Sequence, residues 1–509
     1  SLIVNNCNGH CNALQVQISF YLAASNASKS VRGWAAHTGL AVSPSSIENI
    51  RTLLIKNQKI LNKSLEYFPE LRPHLIDPPS TFQLPPHRTT YSTAEAVYAK
   101  ASTIDGNVEA IMSLLEQSGI MEERVFEKHV ILIHGDLGTM EKIETILNSR
   151  RIEQSILDRM HYLLPIPGLF HVRMACVDAM NRIHANGDNL RSDPNGLYKR
   201  LCLLFPNDLA KLNKAVPPFR MVNDGLNYIT QCTILDAWAE SVDGDLEGFV
   251  ASKPTLEEID RRAEEIERLH FRTKQNAMDQ QQRQDQDQWR TNQLLFNRDT
   301  MYYRILVHAM NHGMVDVIID VLLFWVPIFQ ACGKHKYATY LSNFIFKLRH
   351  YPLPLQEAIM RSWLCNPAGK GGGFRAIDWL VELMNLYTKV VYSGTGSGKT
   401  IEYIISQSSI IEAYRSCIED VEDDYYIPDK TLHHASPDMG SRLLAIRQEL
   451  RNLCPHKYKR GRTSPTLIND HVQKGLEMFQ HGTMWASVNT KQSESMDDTY
   501  EVEAADLDV

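Results

Sequence analysis

One stretch of the sequence constrains the fold more than any other. KHVILIHGD (residues 128–136) is a short apolar run closed by Gly135 and Asp136, the pattern of a buried strand. A helix is expected from Met140 to about Arg159, then a second strand in HYLLPIPG (161–168), stopped by Pro167-Gly168, then an amphipathic helix from Leu169 to His184. Strand, helix, strand, helix is an α/β unit, and its two strands are expected to run parallel. From about 195 to 365 the pattern turns almost entirely helical. The expected fold class is therefore mixed α/β and predominantly helical.

Composition excludes several other classes. Hydrophobic residues make up 43% and charged residues 22% of 509, an ordinary globular balance that excludes global disorder and fibrous repeats. A net charge of -7 gives no overall basic surface, so any contact with DNA must rest on local patches. Nine cysteines, mostly isolated in apolar stretches, point to a reducing, intracellular compartment rather than a disulfide scaffold. The most apolar window, MVDVIIDVLLFWVPIFQAC (314–332), is interrupted by Asp316, Asp320 and Pro327, and reads as a buried helix rather than a membrane span. No basic segment leading into an apolar core opens the chain, so no signal peptide is expected.

Around this centre the chain divides into six expected regions. Residues 1–65 read as helices, with SVRGWAAHTGLAVSPSSIENIRTLLIK resembling a helix-turn-helix in outline; a packed helical hairpin is the favoured reading, since the second helix carries only Arg51 and Lys56 as early basic residues. Residues 66–104 form a connector rich in proline (Pro69, Pro73, Pro78, Pro79, Pro85, Pro86), with a helix following from about Gly106 to Gln117. The first part of the α/β core covers 105–194, an all-α insertion covers 195–365, and the second part of the core covers 366–440. Within the insertion, 255–290 is highly charged and Gln-rich, the composition of an exposed helix or coiled-coil arm. Residues 441–509 are expected to be mobile, with a basic cluster, HKYKRGR, then an acidic end; the cluster suggests a nuclear location.

Three sets of residues carry candidate chemistry. SGTGSGKT (393–400) offers Gly398, Lys399 and Thr400 in phosphate-loop spacing, with TKVVY as a strand before it. Ser393, however, replaces the first glycine, and the residues that follow contain no apolar strand ending in a second magnesium ligand, so a nucleotide is a disfavoured cofactor. Cys7, His10 and Cys11 are metal-capable but lack the second pair that a closed zinc site needs. Asp136 ends its strand, where carboxylates of open α/β sheets meet metals or substrates. Glu382 interrupts an apolar helix face, with Asp378 one turn earlier. Together Asp136 and Glu382 are candidate catalytic and metal-binding residues for Mg2+ or Mn2+, set against the plainer reading of a strand-end cap and a solvated helix carboxylate.

The segments HVILIHGDLGTMEKIETILNSRR, HYLLPIPGLFHVRMACVDAMNRIH and NPAGKGGGFRAIDWLVELMNLYTK resemble an uncharacterised fungal domain-of-unknown-function family, number 6589, over about residues 10–440. That resemblance implies no activity. The order of elements is similar to that of transposases with a ribonuclease-H-like core. The similarity implies that Asp136 is the second acid, Glu382 the third, and residues 195–365 the insertion, with His171 near the site. Two-metal DNA strand transfer needs a first acid on an earlier strand as well. The stretch before Asp105 has no convincing apolar strand and only Asp77, beside Pro78, so the core is expected to be incomplete and the nuclease inactive. A non-catalytic DNA-binding or scaffold protein is the first alternative and a phosphate-loop NTPase the second.

Overall fold

In a computed structural model the described residues are 80–271, 286–392, 400–424 and 439–480. The expected helices of 1–65, the Cys7-His10-Cys11 cluster, Asp77, Gly398, Lys399 and the acidic end beyond 480 lie outside them.

The α/β unit forms where the sequence places it. Helix α1 (Ile104–Gln117), capped by Thr103, precedes strand β1 (Ile131–Gly135). Helix α2 (Leu137–Ser149), strand β2 (Leu163–Pro167) and helix α3 (Leu169–His184) follow. Helix α2 is shorter than expected. It passes into a 3-10 turn at Arg150–Ile152, and a separate short helix, Ile156–Arg159, ends at Met160 with φ 57°. The strands pair in parallel, from Ile131 opposite Leu163 to Gly135 opposite Pro167.

Prolines determine which edge of β2 faces β1. The Ile131 N–H donates to the Tyr162 carbonyl (2.7 Å) and the Gly168 N–H to the Gly135 carbonyl (2.8 Å), so the even-numbered residues of β2 face β1. Pro165 and Pro167 fall on the other edge, where a missing N–H costs nothing. Their carbonyls accept from Tyr340 Oη (3.5 Å) and Trp363 Nε1 (2.8 Å).

The helical region is continuous with this unit. Helices α4 (Phe219–Ser241), α5 (Leu256–His270), α6 (Gln288–Asn311), α7 (Val315–Ala331) and α8 (His335–His350) share one buried apolar cluster with Ile166 of β2 and with α3. Helix α7 is apolar because it is surrounded, every residue from Val315 to Ala331 except Asp320 being buried. Its Asp316 is a clamp: the carboxylate accepts from Ser80 Oγ (2.6 Å), Thr81 Oγ1 (2.6 Å) and the N–H of Phe82 (3.0 Å) and Val317 (2.8 Å). No helix among the described residues is long and apolar enough to cross a membrane.

Two expectations in the helical and C-terminal parts are corrected. The charged stretch 255–290 is not one exposed helix. Helix α5 ends at His270 and buries Ile259, Ala263 and Ile266, while α6 starts afresh with Asp287 as its cap. Residues 440–480, expected to be mobile, are part of the core. Helix α11 (Gly440–Leu453) packs on α4, and α12 (His471–Gln480) packs on α7. Gly475 lies so close to helix α7 at Pro327 that an added Cβ would sit 1.9 Å from the Pro327 carbonyl oxygen. Between these helices Arg462 makes a bidentate pair with buried Asp287 (2.9 and 2.7 Å), and Arg298 bonds Asp470 (2.7 Å). Such pairs fix a polar segment that has few apolar residues of its own.

The second part of the core starts with two short antiparallel strands, β3 (Leu364–Cys365) and β4 (Arg375–Ala376), on either side of the glycine loop. Gly369 (φ +67°) and Gly372 (φ +75°) supply its left-handed turns. Helix α9 (Ile377–Tyr392) leads out of β4 and packs against α3 and β1, and α10 (Ile401–Ser408) follows.

Candidate functional site

The strand ends and the first turns of α2, α3 and α9 meet at one point. Asp136 follows β1 and caps α2, its Oδ1 accepting from the Thr139 N–H (2.8 Å). Gly168 follows β2 and precedes α3. A Cβ there would lie 2.3 Å from Asp378 Oδ2 and 2.6 Å from the Gly135 carbonyl oxygen, so only glycine lets α9 approach this closely.

Asp378 comes from the first turn of α9 but serves α3. Its carboxylate accepts from the N–H of Phe170 (3.1 Å), the N–H of His171 (3.0 Å) and His171 Nδ1 (3.0 Å). A buried carboxylate, 4% exposed, thus satisfies free amides at the N-terminus of another helix and fixes the imidazole. The other ring nitrogen, Nε2, faces Glu382 Oε1 at 3.8 Å, too far for a hydrogen bond but close enough for attraction between charges. Burial alone would lower the His171 pKa. The hydrogen bond to Asp378 and the charges of Asp378, Asp136 and Glu382 outweigh it and raise the pKa.

His134, two residues before Asp136 and on the same face of β1, lies in the same neighbourhood. Neither of its ring nitrogens has a hydrogen-bond partner among the described residues. Burial pulls its pKa down to about 4, only partly opposed by the charge of Asp378, so the ring is neutral near pH 7. A cleft between α8 and the strand ends opens onto this cluster, lined by His171, Gly168, Leu137, Tyr337 and Tyr340.

The structure therefore brings the expected Asp136 and Glu382 within electrostatic reach of one imidazole. It adds Asp378 as the group that holds that imidazole, and His134 as a buried neighbour. Asp378 was visible in the sequence only as an acid in the first turn of a helix. His134 had one signal, its spacing of two from Asp136 on a strand. Among the described residues no group of three or more His, Cys, Asp and Glu side chains is placed to hold a metal ion. The chemistry of the donors agrees, because Asp378 already has three donors and only Asp136 and Glu382 remain as oxygen ligands. Two carboxylates suit one Mg2+ or Mn2+ that keeps most of its waters, not a pair of ions.

The phosphate-loop expectation meets a different geometry. TKVVY, expected as a strand, is the end of helix α9. Its residues continue the helical period of LVELMNLY, so among the described residues a helix and not a strand precedes the loop. Thr400, the described member of the trio, caps α10 by accepting from the Tyr403 N–H (3.2 Å).

Fold and site together define a predominantly helical α/β protein with a carboxylate–histidine cluster at the ends of two parallel strands. The chain belongs to a family of unknown function, DUF6589, whose profile matches residues 45–434 and so takes in both strands, Asp136, His171, Asp378 and Glu382. No curated protein and no solved structure matches it.

Proposed function

We propose that the protein descends from a metal-dependent DNA strand transferase with a ribonuclease-H-like core, that Asp136 and Glu382 bind a single Mg2+ or Mn2+, and that the site does not cleave DNA. The observation that carries this reading is the meeting of Asp136 and Glu382 around His171, from elements separated by the whole helical insertion. A divalent ion held there would polarise a phosphoryl oxygen. The chain's own part is to hold the His171 ring in one orientation through Asp378 and to present Glu382 to Nε2. Two features support loss of cleavage. One of the three cluster carboxylates is committed to capping α3, and among the described residues β2 is the only strand paired with β1, so no further described strand beside β1 carries an acid.

Mn2+ titration by calorimetry tests the site. The wild type should bind one weakly held ion, and both Asp136→Asn and Glu382→Gln should abolish binding. Asparagine still caps α2, so a loss in Asp136→Asn reports the missing charge and not a frayed helix. Equal binding by all three proteins, or nicking of supercoiled plasmid by the wild type, would overturn the proposal.

A further inference from the structure

Helix α11 runs into a loop that is held together from the inside. Cys454 leaves the helix with φ 47°, and Gly461 turns the chain again with φ +70°. Between them the loop closes on one guanidinium. Arg462 Nη1 donates to the carbonyls of Leu453 (2.9 Å) and Cys454 (3.1 Å), and its Nη2 to that of Lys457 (3.1 Å), while the same group makes the bidentate pair with Asp287. Buried His456 pins the start of the loop. Its Nδ1 donates to Asp236 Oδ2 of α4 (2.6 Å), and its Nε2 accepts from Asn297 Nδ2 of α6 (2.8 Å). The Lys459 N–H, donating to Asp287 Oδ2 (2.8 Å), pins the middle. Lys457, Tyr458, Lys459 and Arg460 are all exposed on this fixed backbone.

The charge here is one-sided. Residues 447–462 hold six Lys and Arg against one acid, Glu449, in a chain whose net charge is -7. Arg447 and Arg451 stand one turn apart on α11 and lead into the loop. Arg447, Arg451, Lys457 and Lys459 form no ion pair among the described residues. Like charges gathered in this way repel one another, and ordering a loop costs conformational entropy. Apolar burial does little to offset either cost, since only Pro455 and His456 of residues 454–462 are buried. A polyanion offsets both, because it meets the charges with a loop that is already ordered. Tyr458, 50% exposed, lies in the chain between two lysines. Cations alternating with an aromatic ring suit a strand whose bases are free to stack, whereas an acidic peptide brings carboxylates without a planar face.

We infer that the loop 454–462, with the last two turns of α11, is a binding surface for single-stranded nucleic acid, in which Lys457 and Lys459 meet phosphates and Tyr458 stacks on a base. The surface shares no residue with the strand-end cluster and does not rest on the metal-site reading.

Fluorescence anisotropy of a labelled single-stranded oligodeoxynucleotide, with the full chain in EDTA, tests the surface apart from the metal site. The wild type should bind with an affinity that falls as salt rises. Lys457→Gln combined with Lys459→Gln should weaken binding about tenfold at low salt and reduce the slope of log affinity against log salt by about 1.4, the effect of two lost phosphate contacts. Tyr458→Ala should weaken binding about tenfold with the slope unchanged, a split that general loss of structure would not produce. Thermal melting supplies the control: the double lysine variant should melt no lower than the wild type, since neither ammonium is paired in the fold. Wild-type affinity and slope in the double lysine variant would overturn the surface. Equal affinity for polyglutamate, or for a duplex of the same sequence with Tyr458→Ala unchanged, would overturn the assignment to single-stranded nucleic acid. Mn2+ binding is read separately, so its failure would remove the metal proposal alone.

Discussion

Replacing Asp378 tests the logic of the strand-end cluster. Its carboxylate accepts two backbone N–H groups and one imidazole N–H in a setting with little water. Asp378→Ala leaves all three donors without their acceptor, and removing one member of a buried charge pair costs about 3–5 kcal/mol. Asp378→Asn keeps the shape and one acceptor oxygen but loses the charge, for a loss on the order of 2 kcal/mol. The pH profile then separates charge from shape. In the wild type the His171 pKa is raised, so its contribution to stability is fully present below the ordinary value of 6.5 and is lost as the pH rises through the folded value. In Asp378→Asn the hydrogen bond to a carboxylate and the nearest charge disappear, and burial becomes dominant. The sign reverses: the ring is now neutral in the fold, and stability is lost as the pH falls below 6.5. Urea unfolding followed by circular dichroism at about pH 5.5, 6.5 and 8 reads both effects, as a lower midpoint and an altered pH slope. An Asp378→Asn protein that unfolds at the wild-type midpoint at every pH would refute the claim that this carboxylate caps α3 and sets the charge of His171.

The neighbouring imidazole should behave in the opposite way to His171. His134 is held neutral, with its pKa at about 4 rather than 6.5, so its contribution is fully present above 6.5 and is lost as the pH falls towards 4. That difference corresponds to about 3 kcal/mol of acid sensitivity, which His134→Leu should remove in thermal melts compared at neutral and acid pH; a variant as acid-sensitive as the wild type would show that the buried ring is not its source. At the other end of the chain, Arg462→Ala leaves Asp287 without its bidentate partner, although the N–H groups of Lys459 and Arg290 still reach the carboxylate (2.8 and 3.0 Å). A loss near the lower end of about 3–5 kcal/mol is expected. Limited proteolysis should then cut between residues 456 and 470, and a digestion pattern identical to the wild type would show that the pair does not fix the segment.

The elements with local signals were legible in the sequence. β1, β2 and α3 announce themselves through apolar period, length and a terminal Gly or Pro, and α3 has the expected bounds, Leu169–His184. Asp136 and Glu382 were legible as oddities, a carboxylate at a strand end and another on an apolar helix face. Features that depend on distant partners were not. An aspartate in the first turn of α9 looks like an ordinary favourable interaction with that helix's own dipole, and nothing local shows that Asp378 caps α3. Gly168 reads as a turn residue, whereas its function is to make room for that carboxylate. HKYKRGR reads as a solvated basic run because Arg462 finds Asp287 far back in the chain. Helix α2 stops early for the same kind of reason, since the short helix Ile156–Arg159 and the chain turn at Met160 place Met160, Tyr162 and Leu163 in a small core with Leu115 and Phe126 of the preceding segment.

The two strands differ in what their outer edges can accept, and this bears on the ancestry proposed. On β2 the outward positions are Pro165 and Pro167, which have no N–H to offer, and their carbonyls are met by Tyr340 and Trp363. No further strand can pair there without breaking those contacts and leaving its own carbonyls without donors. On β1 the outward backbone groups are those of Leu132 and His134, and both residues carry an N–H. Any additional strand of this sheet must therefore lie beside β1, the side on which an earlier acid-bearing strand of a ribonuclease-H-like core would pair. The free edge of β1 and the Asp136–His171–Glu382 cluster at the strand ends are independent features, one a matter of backbone donors and the other of side-chain charge.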